Sequence, residues 1–218
     1  MRRIMMALAA SAATVTVLAM PASAAQAQVT HLRSNGTNVS AEWTTQSPGN
    51  VVDTFVSATA PSKGAATLDI FSMVAQVSSE GAFLGGVQTT VQVTSGFTFT
   101  YDAKRLTKAS VNATNLPART CPVDEFGEEV ASECEATTVS LSATWTGVGP
   151  ISTGHTTDHY STSGFKMVVH SSGTSRDATA EASFNGQALG GLQWASIGTY
   201  RDLKTAICRI PGGCGEGL

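Results

Sequence analysis

Apolar and polar residues alternate strictly in several segments of the chain. In residues 139–145 apolar side chains occupy every second position, and serine or threonine fills the positions between them. The apolar stripes of this kind are Val139, Leu141, Ala143 and Trp145; Val39, Ala41 and Trp43; Val87, Thr89, Val91 and Val93; and Phe97, Phe99 and Tyr101. A period of two buries one face of a strand and leaves the other in water, as in antiparallel sheets. The pattern therefore predicts an all-β, antiparallel fold.

Turn signals separate the predicted strands at short intervals. Pro48-Gly49 and Gly149-Pro150 follow two of the stripes, and Asn185-Gly186 is a dipeptide typical of a two-residue hairpin. No segment has a sustained helical period, although the acidic segment 124–133 has room for a turn or two of helix. This spacing predicts roughly a dozen strands in a β-sandwich-like single domain over residues 28–218, with a disulfide-closed C-terminal tail.

The first 27 residues have the pattern of a secretory signal peptide. Arg2 and Arg3 precede an apolar stretch over residues 4–20, and two A-x-A cleavage sequences end at Ala24 and Ala27. A spanning helix needs ~20 strongly apolar residues, whereas this stretch is shorter and is interrupted by serine and threonine. The sequence therefore predicts a bacterial-type protein that is secreted and has no membrane span.

The charge balance argues against one class of partner. The signal peptide holds two of the 13 Lys and Arg residues and none of the 16 Asp and Glu residues, so the remainder has a formal net charge of −5. Nucleic-acid binding relies on clustered cations that neutralise phosphates. An acidic, Ser- and Thr-rich domain is instead expected to bind an extracellular glycan or protein, and no nucleic acid.

Four cysteines lie in the second half of the chain: Cys121, Cys134, Cys208 and Cys214. An even number in an exported protein indicates disulfides, and four cysteines permit three pairings. Proximity in sequence favours Cys121–Cys134 and Cys208–Cys214. A zinc site made by all four thiolates is the competing interpretation, but the C-x2-C spacing of zinc modules is absent.

Residues 154–160 hold the densest set of metal-ligating side chains, His155, Asp158 and His159. Imidazole and carboxylate groups are ligands for zinc or copper. The i, i+4 spacing of the histidines suits a helix, whereas on a strand the two positions stand ~13 Å apart. The alternative is a polar segment whose histidines contact backbone or solvent.

A second candidate metal site lies between Cys121 and Cys134, where Asp124, Glu125, Glu128 and Glu129 are close in sequence. Dense carboxylates are suitable ligands for calcium. The residue order of an EF-hand loop is missing, so a solvated acidic loop tied by a disulfide is the alternative.

Two further residues are candidates for ligand binding, Arg176 and Trp194. Arg176 precedes Asp177 and is expected either to pair with a carboxylate at a strand corner or to bind an anionic ligand. Trp43 and Trp145 continue apolar stripes and are predicted to lie in the core. No stripe accounts for Trp194, which leaves it available for stacking against a sugar ring.

Residues 145–180 resemble a scattered group of exported bacterial β-rich proteins that have no assigned activity. The resemblance rests on Trp-Thr-Gly-Val-Gly-Pro at 145–150, His155, His159-Tyr160, Gly164-Phe165 and Gly-Thr-Ser-Arg-Asp-Ala at 173–178. It covers mainly residues 139–182. It implies a secreted β-protein and assigns no role to any residue.

Two function classes follow from these observations. One is a non-catalytic exported protein that binds an extracellular glycan or protein and needs no cofactor. The other is a secreted metal-dependent hydrolase centred on His155, Asp158 and His159, which requires the three side chains to converge. No nucleophile elbow or catalytic triad order supports the second class, so the sequence favours the first.

Overall fold

The computed structural model describes residues 28–162 and 165–208, and most of these residues lie in strands. The strands are β1 (Gln28–Ser47), β2 (Asn50–Pro61), β3 (Thr67–Val77), β4 (Phe83–Val93), β5 (Phe97–Tyr101), β6 (Lys108–Val123), β7 (Glu135–Gly147), β8 (Ser152–Thr162), β9 (Phe165–Phe184), β10 (Gln187–Ala188) and β11 (Leu192–Cys208). A 3-10 turn at Ala131–Glu133 occupies the acidic segment, where the sequence allowed a turn of helix. In the described part of the chain no helix is long and apolar enough to cross a membrane.

All eleven strands belong to one antiparallel sheet. Eight of them form a closed ring in the order β1, β2, β3, β4, β6, β7, β9, β11 and back to β1, while β5, β8 and β10 each pair with one ring strand. The predicted all-β, antiparallel single domain is confirmed. Opposite walls of one closed sheet take the place of the two separate sheets of a sandwich.

The core fills the inside of the ring. Trp43 and Trp145 are only 2% and 1% exposed, which confirms that both belong to the core. The indole Nε1 of Trp145 donates a hydrogen bond of 3.1 Å to the Ser40 carbonyl. Because β7 and β1 are not neighbours in the sheet, this bond crosses the interior and joins opposite walls.

The predicted turns set the register of the hairpins. Gly49 has a φ of +78° between β1 and β2, where Ser47 pairs with Asn50. Asn185 and Gly186 have φ values of 51° and 79°, the conformation of a type I′ hairpin turn between β9 and β10. These positive φ values are accessible to glycine and asparagine at little cost, which explains the residue choice.

Three ring strands, β1, β9 and β11, continue beyond the ring and, together with β8, form a part that we call the extension. Residues 28–35 of β1 pair only with β11, because the pairing of β1 with β2 begins at Gly36. The first half of β9 lies between β8 and β11, so the strand order in the extension is β8, β9, β11, β1. Every residue of β8 is exposed.

The predicted signal peptide, residues 1–27, lies outside the described residues, as does the predicted C-terminal tail from residue 209 onward. Cys121 and Cys134 form the predicted disulfide. Cys208 also takes part in a disulfide. Its predicted partner, Cys214, lies outside the described residues, so the second pairing remains a prediction.

Candidate functional site

An aromatic and acidic row crosses the outer surface of four neighbouring strands. Glu42 of β1 pairs with Trp194 of β11 on one side and with Phe55 of β2 on the other, and Phe55 pairs with Phe71 of β3. The chain neighbours of these residues, such as Ala41 and Trp43, are buried in the core. Because successive side chains of a strand point to opposite faces, the row faces outward. We call Trp194, Glu42, Phe55 and Phe71 the aromatic–acidic row.

Two contacts fix the orientation of Trp194 within the row. Its indole Nε1 donates a hydrogen bond of 2.6 Å to Glu42 Oε2. Its ring lies 6.0 Å from the ring of Phe55, at an interplanar angle of 46°. Trp194 nevertheless remains 44% exposed, so part of its ring stays accessible to a ligand. An aromatic side chain held in this way binds with little loss of conformational entropy.

Two aspartates of the outer surface lie beside the row, two residues along the strands. Asp53 precedes Phe55 in β2, and its Oδ1 is buried without a hydrogen-bond partner among the described residues. Asp69 precedes Phe71 in β3, and burial raises the pKa of its carboxyl, although a hydrogen bond with Gln92 opposes this shift. A buried carboxylate oxygen without a donor is energetically costly, which makes Asp53 an unusual feature of this surface.

A line of serines borders the row on the side of Asp69. Ser196, Ser40 and Ser57 are paired across β11, β1 and β2, and the register continues to Asp69 in β3. The hydroxyls of Ser40 and Ser196 are 3.2 Å apart. The surface thus combines apolar ring faces with hydroxyl and carboxylate groups. Such a surface can stack against a ring and hydrogen-bond to its substituents.

The structure does not bring His155, Asp158 and His159 together. All three lie on the exposed strand β8, where they pair with Ser172, Val169 and Val168 of β9. His155 and His159 share one face of the strand, whereas Asp158 points to the opposite face. On this strand the carboxylate and the imidazoles therefore lie on different sides of the sheet and do not converge on one point.

The acidic residues predicted as calcium ligands are used within their own loop or remain separate. Asp124 Oδ1 accepts hydrogen bonds of 2.9 Å from the backbone amides of Phe126 and Glu128. Glu129 forms an ion pair of 2.6 Å with Arg119 and accepts a hydrogen bond from Gln88. These contacts stabilise the loop, as in the alternative interpretation, and the described carboxylates do not converge on a common point.

One cluster in the described part of the chain has metal-ligand composition: Cys121, Glu129 and Cys134. Its two sulfur atoms are joined in the disulfide, so they are not available as thiolate ligands. The third residue of the cluster, Glu129, forms an ion pair with Arg119. Arg119 also donates a hydrogen bond of 2.9 Å to Cys134 Sγ. The cluster is therefore a structural contact rather than a metal centre.

Arg176 ties two loops to the end of the ring and does not pair with its neighbour Asp177. Its Nε donates to the Gly149 carbonyl over 2.9 Å, and its Nη1 donates to the Arg105 carbonyl over 3.2 Å. The predicted strand-corner role is thus present, with backbone carbonyls in place of a carboxylate. Two of its donors are already used, which disfavours the predicted role as an anion ligand.

Sequence reasoning identified Trp194 but missed Glu42, Phe55 and Phe71. A usable signal existed in β2, because Thr54, Val56 and Ala58 alternate inward and leave Phe55 on the outer face. Glu42 was also visible as an outward residue of the Trp43 stripe. The pairing of Glu42 with Trp194 joins strands at opposite ends of the chain, and no local pattern predicts that register.

Comparison with known proteins leaves the chain without an identified relative, since no family model, curated protein or solved structure matches it.

Proposed function

We propose that this protein is an exported, non-catalytic binding protein that recognises a neutral extracellular glycan through the aromatic–acidic row. The observation that carries the proposal is Trp194, a large aromatic residue that is 44% exposed and is held by Glu42 and Phe55. An exposed tryptophan fixed in orientation is a frequent energetic centre of binding surfaces. Its ring offers an apolar face suited to the C–H face of a sugar.

The charge of the surface favours a neutral glycan over an acidic one. Glu42, Asp53 and Asp69 lie in or beside the row, and Asp177 pairs with Ser196 at its border. Carboxylates accept hydrogen bonds from sugar hydroxyls but repel the carboxylate or sulfate groups of an acidic polymer. Phe55 and Phe71 extend the apolar surface along the row, across strands spaced ~4.8 Å apart.

Secretion remains part of the proposal. The signal-peptide pattern of residues 1–27 and the Cys121–Cys134 disulfide support an oxidising compartment outside the cytoplasm. The hydrolase hypothesis has no comparable support, because His155 and His159 do not share a face with Asp158.

The test is binding of the purified, oxidised protein to a panel of soluble neutral polysaccharides, a β-glucan, a xylan and a mannan, by calorimetry and thermal shift. A saturating ligand at ~100 Kd should stabilise the fold by ~2.7 kcal/mol. Trp194→Ala should weaken binding by about tenfold or more, since a central aromatic contact contributes at least ~1.4 kcal/mol.

Tyr160→Ala is the matched control, because Tyr160 is also exposed (51%) but lies on β8, away from the row. Equal losses in the two variants would contradict the assignment of the site to the row. Absence of binding to every polysaccharide of the panel would contradict the proposed ligand class.

A further inference from the structure

All four histidines of the chain lie on one face of the extension. Direct cross-strand partners point to the same side of a sheet, so the register places them together. The three rows of this face, from β8 through β9 and β11 to β1, are His159, Val168, Thr205 and His31; Thr157, His170, Leu203 and Arg33; and His155, Ser172, Arg201 and Asn35.

Side-chain contacts agree with this placement. His31 Nδ1 lies 3.1 Å from the hydroxyl of Thr205, its direct partner. His170 Nδ1 lies 3.1 Å from the hydroxyl of Thr157, its partner in β8. Lys166 belongs to the same face, because it pairs with Ser161 of β8 and Ile207 of β11.

We call this set the histidine face: His31, Arg33, His155, His159, Lys166, His170 and Arg201. All seven side chains are exposed, and none of them forms an ion pair with a described residue. The residues that share this face within the extension include no aspartate or glutamate. Within the extension, the acidic residues Asp158 and Asp202 lie on the opposite face together with Lys204.

The neighbouring elements add little negative charge. At one edge Ser62, next to Lys63, hydrogen-bonds to the backbone carbonyl and the side chain of Asn35. At the end near the ring, Arg176 is held by the carbonyls of Gly149 and Arg105. Asp102 is the acidic residue of that turn, and its carboxylate is occupied by the Lys104 and Arg105 amides and the Thr107 hydroxyl.

We propose that the histidine face binds an acidic polysaccharide and that this binding strengthens as the pH falls from 7.5 to 5.5. A cationic face is unexpected on a chain with a formal net charge of −3, and it complements an anionic ligand. Histidine is the side chain whose charge ordinarily changes between pH 5 and 8, so a face that carries four of them is suited to pH-dependent binding of an anion.

The spread of the cations indicates a polymer rather than a small anion. His155 and His159 are four residues apart on one strand, or ~13 Å, and the face spans four strands spaced ~4.8 Å apart. Hydroxyl groups of Thr157, Ser172 and Thr205 alternate with the cations and can hydrogen-bond to a polysaccharide chain. No described pocket gathers these groups around a single point.

The experiment measures the affinity of the oxidised protein for dextran sulfate at pH 7.5 and 5.5 in about 0.15 M salt, with neutral dextran as the reference polymer. Sulfate esters remain ionised across this range, so a change in affinity reports on the protein. We expect binding about tenfold tighter at pH 5.5, since each exposed charge pair contributes a fraction of 1.4 kcal/mol.

Two sets of variants test the location. The quadruple variant H31Q/H155Q/H159Q/H170Q should lose the pH dependence and keep the affinity measured at pH 7.5. The variant R33Q/K166Q/R201Q should bind weakly at both pH values. Its control, K104Q/K108Q/K204Q, removes the same charge outside the face and should retain binding.

Three outcomes would overturn the proposal: equal affinity at both pH values, equal losses in the two triple variants, or binding to anionic vesicles without binding to dextran sulfate. Trp194→Ala should leave dextran sulfate binding unchanged. The result for dextran sulfate therefore tests the histidine face separately from the neutral-glycan site on the outer surface.

Discussion

At the scale of the residue, a shift of one position decides what a side chain can do. Trp43 is buried, whereas Glu42 beside it is part of the outer row with Trp194. Asp158 and His159 are likewise adjacent and point to opposite sides of β8. Adjacent residues of a strand point to opposite faces of the sheet, so the register decides which side chains share a surface. Register is therefore as informative about function here as residue identity.

Thr54 and Ser72 provide a residue-scale test of the interior. Their hydroxyls are buried and lie 3.1 Å apart on neighbouring strands. Thr54→Val removes one member and leaves the Ser72 hydroxyl without its partner, so the free energy of unfolding should fall by about 1–3 kcal/mol. Urea denaturation monitored by tryptophan fluorescence measures the change.

The double variant Thr54→Val/Ser72→Ala removes both hydroxyls and should lose less stability than Thr54→Val loses alone. Thr100 and Ser110 supply the control, because their hydroxyls form a similar pair of 2.7 Å at an exposed site. Thr100→Val should be almost neutral there. A comparable loss at both sites would show that burial of the pair is not the reason for its contribution.

At the scale of the element, the turn between β5 and β6 is organised by one carboxylate. Asp102 Oδ1 accepts hydrogen bonds from the backbone amides of Lys104 and Arg105, and Oδ2 accepts one from the Thr107 hydroxyl. The same turn holds Leu106 at a φ of +50° with its side chain in the core. A local polar network thus supports an unfavourable backbone conformation that buries an apolar residue.

These bonds imply a pH-dependent contribution from the turn. The Arg105 amide, followed by the Thr107 hydroxyl, lowers the pKa of Asp102 below its ordinary value of 3.8. A lowered pKa in the folded state stabilises the fold above that ordinary value, and the contribution is lost as the pH falls through the folded-state pKa. Asp102→Asn should therefore be less stable than the parent protein at pH 6, and the difference should shrink below about pH 4.

Urea denaturation over a series of pH values measures this difference. Glu80→Gln is the charge control, because the Glu80 carboxylate accepts no hydrogen bond from a described residue. A stability difference for Asp102→Asn that stays constant from pH 6 to pH 2.5 would contradict the role of the ionised carboxylate.

The elements that could be predicted from sequence are those with one buried face. The stripe from Val139 to Trp145 is a strand of the ring, and all four of its apolar residues are buried. The strand β8 gave no such signal, because none of its residues is buried and its conformation depends on pairing with β9. For that reason the sequence left residues 154–160 open between strand and loop.

At the scale of the whole molecule, one disulfide lies beside the shortest strand pairing of the ring. β4 and β6 pair over only five residues, Gly86–Thr90 against Arg119–Val123, and Cys121 lies within this segment. Its disulfide to Cys134 closes a loop with a sequence separation of 13. Loops of this length are expected to stabilise the fold by about 3 kcal/mol.

Cys121→Ala/Cys134→Ala should therefore lower the free energy of unfolding by about 3 kcal/mol, measured by urea denaturation without reductant. The disulfide of Cys208 remains in this variant, which separates the effect from general reduction. Hydrogen exchange should show the largest loss of protection at the β4–β6 pairing. Unchanged protection there would contradict a role of the disulfide in closing the ring.

At this scale, the pairing of strands that are far apart in sequence could not be predicted. The composition and the even number of cysteines indicated a disulfide-containing β-domain, and proximity indicated the Cys121–Cys134 pairing. The histidine face was not visible, because His31 and His159 are joined only through two intervening strands. Their placement on one face depends on the register of three strand pairs, which no local pattern specifies.

The closed ring has a consequence for the order of events during folding. Its first strand, β1, pairs with its last strand, β11, from Gln28 opposite Cys208 to Trp43 opposite Leu192. The wall that shields Trp43 is therefore incomplete until the final strand has been synthesised. Until β11 has joined the sheet, β1 has an unpaired edge on that side, and loss of β11 would expose the core there.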